Sequence, residues 1–145
     1  MSTQTYTARI RPTTPDQVAW VNLLRAHAAA TRRFNADLVS GHGLTLNDYE
    51  VLLHLARAPE RRMRRVDLAN EIVLTPSGIT RLLAGLEGEG YVERASCASD
   101  ARVTYALLTD AGYEKLREAS STHVEGIRNH SGDRSEEHTS ELQSH

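Results

Sequence analysis

The chain has 145 residues, 39% hydrophobic and 25% charged, a balance that suits one domain with a single core and excludes a multidomain assembly. It contains no apolar run of about eighteen residues and its first thirteen residues are polar, so neither a membrane span nor a secretion signal is expected and the chain reads as cytoplasmic. One cysteine, Cys97, allows no internal disulfide and no cysteine-based zinc site, and the formal net charge of −2 is unlike that of a nucleic-acid binder.

Thr14-Pro15-Asp16-Gln17 combines a Thr cap, Pro at the first helical position, an early acid and a Gln that completes a capping box, and it predicts a helix start. Trp20, Leu23, Leu24, Ala28, Phe34 and Leu38 keep helical spacing until Gly41-His42-Gly43 breaks the run. No strand precedes that Gly-x-Gly, so it reads as a helix stop rather than a phosphate loop. A second helix is predicted from Thr45, with Leu44 and Tyr49 spaced as a hydrophobic staple and Leu52, Leu55 and Ala56 facing inward, ending near Ala58-Pro59.

The basic cluster Arg61, Arg62, Arg64, Arg65 follows, with a very short strand, and then a two-turn helix over Val66–Ile72. Thr75-Pro76-Ser77-Gly78 opens the most strongly specified helix: Thr75 caps, Pro76 starts, and Leu74 is placed to staple to Ile79. Ile79, Leu82, Leu83 and Leu86 form one apolar stripe, Ser77, Thr80 and Arg81 face the other way, and Gly90 supplies a left-handed stop. Tyr91–Arg94 and Val103–Leu108 read as a hairpin joined by a projecting loop, Ala95–Arg102. A last helix is capped by Thr109, with Leu108 stapling to Tyr113, and its apolar positions Tyr113, Leu116, Val124 and Ile127 run to about His130.

The final stretch, Arg134–His145, holds one aliphatic residue, Leu142, and continues no earlier pattern. It resembles, residue for residue, the translation of a common short-read sequencing-library adapter. It is expected to be foreign to the fold, with the native chain cut near residues 131–133. Without it the chain holds 16 basic and 16 acidic residues, so the apparent acidity comes from the tail.

Helix, short helix, capped helix and long-tipped hairpin is the order of a winged helix-turn-helix, giving a mainly α (α+β) fold. A helix fits the major groove and reads base edges with its N-terminal residues, which here are Ser77, Gly78, Thr80 and Arg81. Glu87 and Glu89 lie at the far end of that helix, away from phosphate. Six arginines stand against three acids from Arg57 to Arg81, a bias that suits phosphate contacts, although a solvated basic turn would give Arg61 and Arg62 the same composition. Arginine outnumbers lysine sixteen to one, which fits forked recognition of phosphate and guanine but also a biased genome. No phosphate loop, dinucleotide fingerprint, nucleophile elbow or metal-hydrolase pair is found, so neither an enzyme nor a cofactor is expected. A winged-helix protein-interaction module without DNA binding is the alternative.

The segments LTLNDYEVLLHLARAP, VDLANEIVLTPSGITRLLAGLEGEGYVER and SDARVTYALLTDAGYEKL resemble the multiple-antibiotic-resistance regulator (MarR) family over roughly Leu44 to Leu116. The resemblance implies a ligand-responsive repressor that binds pseudo-palindromic operators in double-stranded DNA as a homodimer with interlaced terminal helices. It assigns residues 1–13 to an arm, 14–40 and 110–133 to dimerisation helices and 44–109 to the DNA-binding domain. Trp20, Leu24, Val124 and Ile127 are then dimer contacts. Arg64, Thr75, Ser77, Gly78, Thr80, Arg81, Asp100 and Arg102 are the expected DNA-binding residues, with Arg102 in the minor groove and Asp100 orienting it. The chain has Asp100-Ala101-Arg102 where the family often has D-R-R, removing one phosphate contact, and Val66 where it often has a Ser or Thr cap, so Asp67 is expected to substitute. A small aromatic or phenolic effector is implied, with His27 and His54 as candidate contacts and His123 nearby on the last helix; a zinc site is weakly supported. Arg94 and Arg102 near Cys97 would favour its thiolate.

Overall fold

A computed structural model describes residues 14–141, with side chains as far as residue 129. The N-terminal arm and the last four residues of the adapter-like tail lie outside the described residues. Two units are distinguished, residues 1–33 and residues 34–145. The first consists, where described, of the start of helix α1 (Pro15–His42). Thr14 and Gln17 form the expected reciprocal box: the Gln17 N–H donates to Thr14 Oγ1 and the Thr14 N–H to Gln17 Oε1, each at 3.2 Å.

The second unit carries the rest. Helix α2 (Leu46–Arg57) is capped by Thr45, whose hydroxyl accepts from the Asp48 N–H at 3.1 Å while Asp48 accepts from the Thr45 N–H at 2.9 Å. Asp48 thus completes a capping box in addition to the expected Leu44–Tyr49 staple spacing. α2 ends at Ala58 as the following proline requires, and a short turn, Pro59–Arg61, leads to strand β1 (Arg62–Arg64). Helix α3 (Arg65–Ile72) begins one residue before the expected start. Arg64 occupies its cap position without a side-chain cap bond, so Asp67, the third helical residue, does not replace the missing cap. Asp67 still lies in the positive first turn.

Helix α4 (Pro76–Gly88) starts at Thr75 as expected, the Thr75 hydroxyl accepting from the Gly78 N–H at 3.1 Å. It closes through paired bonds, Tyr91 N–H to the Leu86 carbonyl and Gly90 N–H to the Glu87 carbonyl, with Gly90 at φ 77°. Strands β2 (Val92–Ser96) and β3 (Thr104–Leu108) pair antiparallel from Val92–Leu108 to Ser96–Thr104. β2 therefore extends two residues further than expected and β3 starts one residue later, so the wing loop, 97–103, is one residue shorter. β1 pairs with the other edge of β3, Arg64 opposite Tyr105, giving the order β1-β3-β2. Helix α5 runs Asp110–Glu141, well past the expected end near His130.

One core joins these elements. Val51, Leu52 and Leu55 of α2, Leu68 of α3 and Leu83 of α4 are fully buried, with Val92, Ala106 and Leu108 of the sheet and Leu116 and Ala119 of α5 against them. The apolar stripe of α4 is thereby consumed by the core. Its N-terminal polar face is left to solvent.

Candidate nucleic-acid interface

Ser77, Thr80 and Arg81 are exposed at the start of α4, on the face opposite Ile79, Leu83 and Leu86. The Thr80 hydroxyl donates to the Pro76 carbonyl at 2.9 Å, which leaves its oxygen free to accept. Thr75 spends its hydroxyl on the cap and lies 3.3 Å from Ser77 Oγ. A Cβ at Gly78 would stand 3.1 Å from Thr75 Oγ1, a tight contact with the cap.

Beside this face lies a cleft of about 570 Å³ between α3, the start of α4 and the hairpin. Arg64, Arg65, Arg94 and Arg102 line it together with Asn70, Thr80 and Thr104. Four arginines in the lining, of which Arg65 is paired with Glu87, bias the surface towards anions. The basic cluster divides in three dimensions. Arg61 pairs with Asp110 at 3.4 Å and stacks 4.2 Å from the Tyr113 ring centre, and Arg62 pairs with Glu60 at 2.9 Å and lies over Tyr105. Arg65 reaches Glu87 at 4.0 Å. Arg64 stands opposite Tyr105 on the paired strand, and interaction with that side chain raises its pKa. Among the described residues, no ion pair holds Arg81, Arg94 or Arg102. Arg94 is the cleft residue that the sequence reading overlooked as a contact; it becomes visible only from the pairing of β2 with β3.

The wing tip is organised by backbone bonds. Asp100 accepts from the Arg102 N–H at 3.0 Å, and Val103 N–H bonds to the Asp100 carbonyl at 3.1 Å. Asp100 therefore orients Arg102 through its main chain rather than its guanidinium. Cys97 Sγ lies 3.1 Å from Ser99 Oγ, and hydrogen bonds from the Ser99 hydroxyl and the Ser99 and Asp100 N–H groups lower the thiol's pKa. The cause is these donors, not the neighbouring arginines that the sequence suggested.

Trp20 and Leu24 on α1 and Val124 and Ile127 on α5 are exposed, Trp20 by 61%. His27 is exposed and His54 half-buried. His123 sits between Phe34 and Tyr49, ring centres 5.1 and 4.9 Å away, with a buried Nδ1 that finds no hydrogen-bond partner among the described residues. Its neighbour Thr122 meets His42 Nε2 at 2.7 Å. No group of three metal-ligating side chains occurs among the described residues, and no described helix is long and apolar enough to cross a membrane.

The MarR family model matches residues 42–103, from the end of α1 through the wing. The chain is 34% identical to AbsC, a MarR family transcriptional regulator from Streptomyces coelicolor, over 86% of this chain and 84% of that one, with a TM-score of 0.77. A second MarR family transcriptional regulator from Streptomyces coelicolor, solved in complex with DNA, is 32% identical over 92% of this chain and 87% of its own, with a TM-score of 0.78. The HTH-type transcriptional repressor YetL of Bacillus subtilis is 31% identical over 88 residues, 61% of this chain; the match spans about half, 53%, of the repressor's length. On the winged architecture, the polar start of α4 and these likenesses, the chain belongs to the MarR family of transcriptional regulators.

Proposed function

We propose that the chain is a cytoplasmic, sequence-specific DNA-binding repressor that acts as a homodimer on pseudo-palindromic operators. α4 enters the major groove with Ser77, Gly78, Thr80 and Arg81 at the base edges, and the wing carries Arg102, oriented by Asp100, into the minor groove. Thr75 and Arg64 flank the phosphate backbone. Residues 44–109 form the DNA-binding domain, and 14–40 and 110–133 the dimerisation helices, with Trp20, Leu24, Val124 and Ile127 in the interface and 134–145 an adapter-derived tail. A small aromatic or phenolic effector, with His27 and His54 as candidate contacts, releases the DNA.

One observation carries the reading. The guanidiniums of Arg81, Arg94 and Arg102 have no carboxylate partner among the described residues, whereas Arg61 and Arg62 outside the cleft, and Arg65 within it, are paired. The solved regulator with DNA supports the same use of this fold. The test is fluorescence anisotropy of the chain with duplexes from the region flanking its own gene, across a salt series. Affinity is expected to fall steeply as salt rises, since each neutralised phosphate releases counterions. Arg81→Ala and Arg102→Ala should each weaken binding by roughly tenfold, the scale of one lost base or groove contact. Salt-dependent duplex binding that neither variant alters would overturn the site assignment, and no such binding at all would favour a winged-helix protein-interaction module.

A further inference from the structure

The first turn of α5 is joined to the end of α4 by contacts that leave little freedom. The Thr109 hydroxyl donates to the Gly90 carbonyl at 2.7 Å and accepts from the Gly112 N–H at 3.0 Å, while the Thr109 N–H donates to the Tyr91 carbonyl at 3.1 Å. Gly112 is buried, and a Cβ there would overlap the Tyr91 carbonyl oxygen and stand 2.8 Å from Leu108 Cδ1. The obstacle is main chain, which cannot rotate aside as a long side chain can. On its other side the same turn is held by Arg61, bonded to Asp110 and stacked on Tyr113.

We infer that Thr109 and Gly112 are positioning residues for DNA reading: together with the packing of α5 on α2, where Tyr49 meets Ser120, they set the angle between α5 and the recognition helix, and so the half-site spacing that a dimer accepts. This rests on the dimeric, groove-reading function proposed above. Leverage makes the joint matter. Residue 127 lies fifteen residues beyond Gly112, roughly 22 Å along a helix rising about 1.5 Å per residue, so a tilt of about 10° displaces it by about 4 Å. That exceeds one base-pair step of about 3.4 Å. A spacing rule is therefore sensitive to a small change at this joint.

The test uses the full chain. Wild type selects duplexes from a random pool, and the selected half-sites are rebuilt with one or two base pairs added or removed between them. Wild type should lose about tenfold or more on a one-base-pair change, because half-sites must stay one helical turn apart. Gly112→Ala and Thr109→Val should bind the selected spacing more weakly yet lose less at the altered ones, so that discrimination falls to about threefold or the optimum moves. Thr109→Ser, which keeps the hydroxyl, should retain the wild-type profile. Thr109→Val leaves the backbone uncrowded and carries the test if Gly112→Ala does not fold. Equal weakening at every spacing, or no change, overturns the inference. A wild-type chain that selects no duplex overturns the regulator reading beneath it, a separate outcome.

Discussion

Val73 closes α3 in the left-handed region at φ 58°, with its side chain 89% exposed in the turn before α4. A branched side chain there costs about 1–2 kcal/mol, while glycine's larger unfolded-state entropy costs about 0.5–1 kcal/mol in return. Val73→Gly should therefore stabilise the fold by about 0.5–1 kcal/mol, seen as a higher urea midpoint at fixed protein concentration. The cap of α4 works in the opposite direction: Thr75→Ala removes the bond to the Gly78 N–H and should cost about 1 kcal/mol in the same experiment. At the wing tip, the hydrogen bonds that lower the Cys97 pKa favour the thiolate. Alkylation of Cys97 should consequently follow a pH midpoint below that of a free cysteine, and Ser99→Ala should move it upward; an unchanged midpoint would remove Ser99 as the cause. Thr14, Thr45 and Thr75 were readable as caps because a cap needs only neighbours within a few residues. Asp100's bond to the Arg102 N–H was less readable, since only the closed loop shows which atom of Arg102 it meets.

Glycines show how little an element's own sequence says about its surroundings. Gly85, inside α4, has nothing within 4 Å of its missing Cβ, whereas Gly112, in the first turn of α5, faces the Tyr91 backbone. Gly85→Ala should raise stability by about 0.5–1 kcal/mol through helix propensity. Gly112→Ala should lower it by about 1–3 kcal/mol, the scale of overpacking, and thermal unfolding of the two variants tests the contrast. Helix propensity alone would give both substitutions the same sign. The stripe of α4 was legible because a 3.6-residue period marks a buried face whatever covers it, as Leu83 confirms by its complete burial. The ends of β2 and β3 were less legible: the register that sets Ser96 opposite Thr104 depends on a partner strand, which alternation within either strand does not reveal.

For the whole molecule, the net charge of −2 misleads because it adds up charges that serve different ends. Arg61 and Arg62 pair with Asp110 and Glu60 at the surface and Arg65 with Glu87, while Arg94 and Arg102 line one cleft with Arg64 and Arg65. An anion-attracting surface thus coexists with near-neutral composition. The exposed apolar residues carry a matching prediction for assembly: Trp20→Glu combined with Leu24→Glu should shift the chain towards monomer in sedimentation equilibrium, because burying unpaired carboxylates in an interface is costly. An assembly state unchanged by both substitutions would count against that face as the dimer contact.

By itself the sequence determined what depends on short separations: helix starts at Thr14, Thr45 and Thr75, the stop at Gly90, the buried stripe of α4 and the order of a winged helix-turn-helix. It also placed Ser77, Thr80 and Arg81 opposite that stripe. Tertiary structure alone decided which arginines are occupied and which are available, why Gly112 admits no side chain, and that His123 lies between Phe34 and Tyr49. The reason is physical. Capping and amphipathic periodicity act within a turn or two of helix, whereas the pairs Arg61–Asp110 and Arg65–Glu87, the steric room at Gly112 and the cleft join residues far apart in the chain.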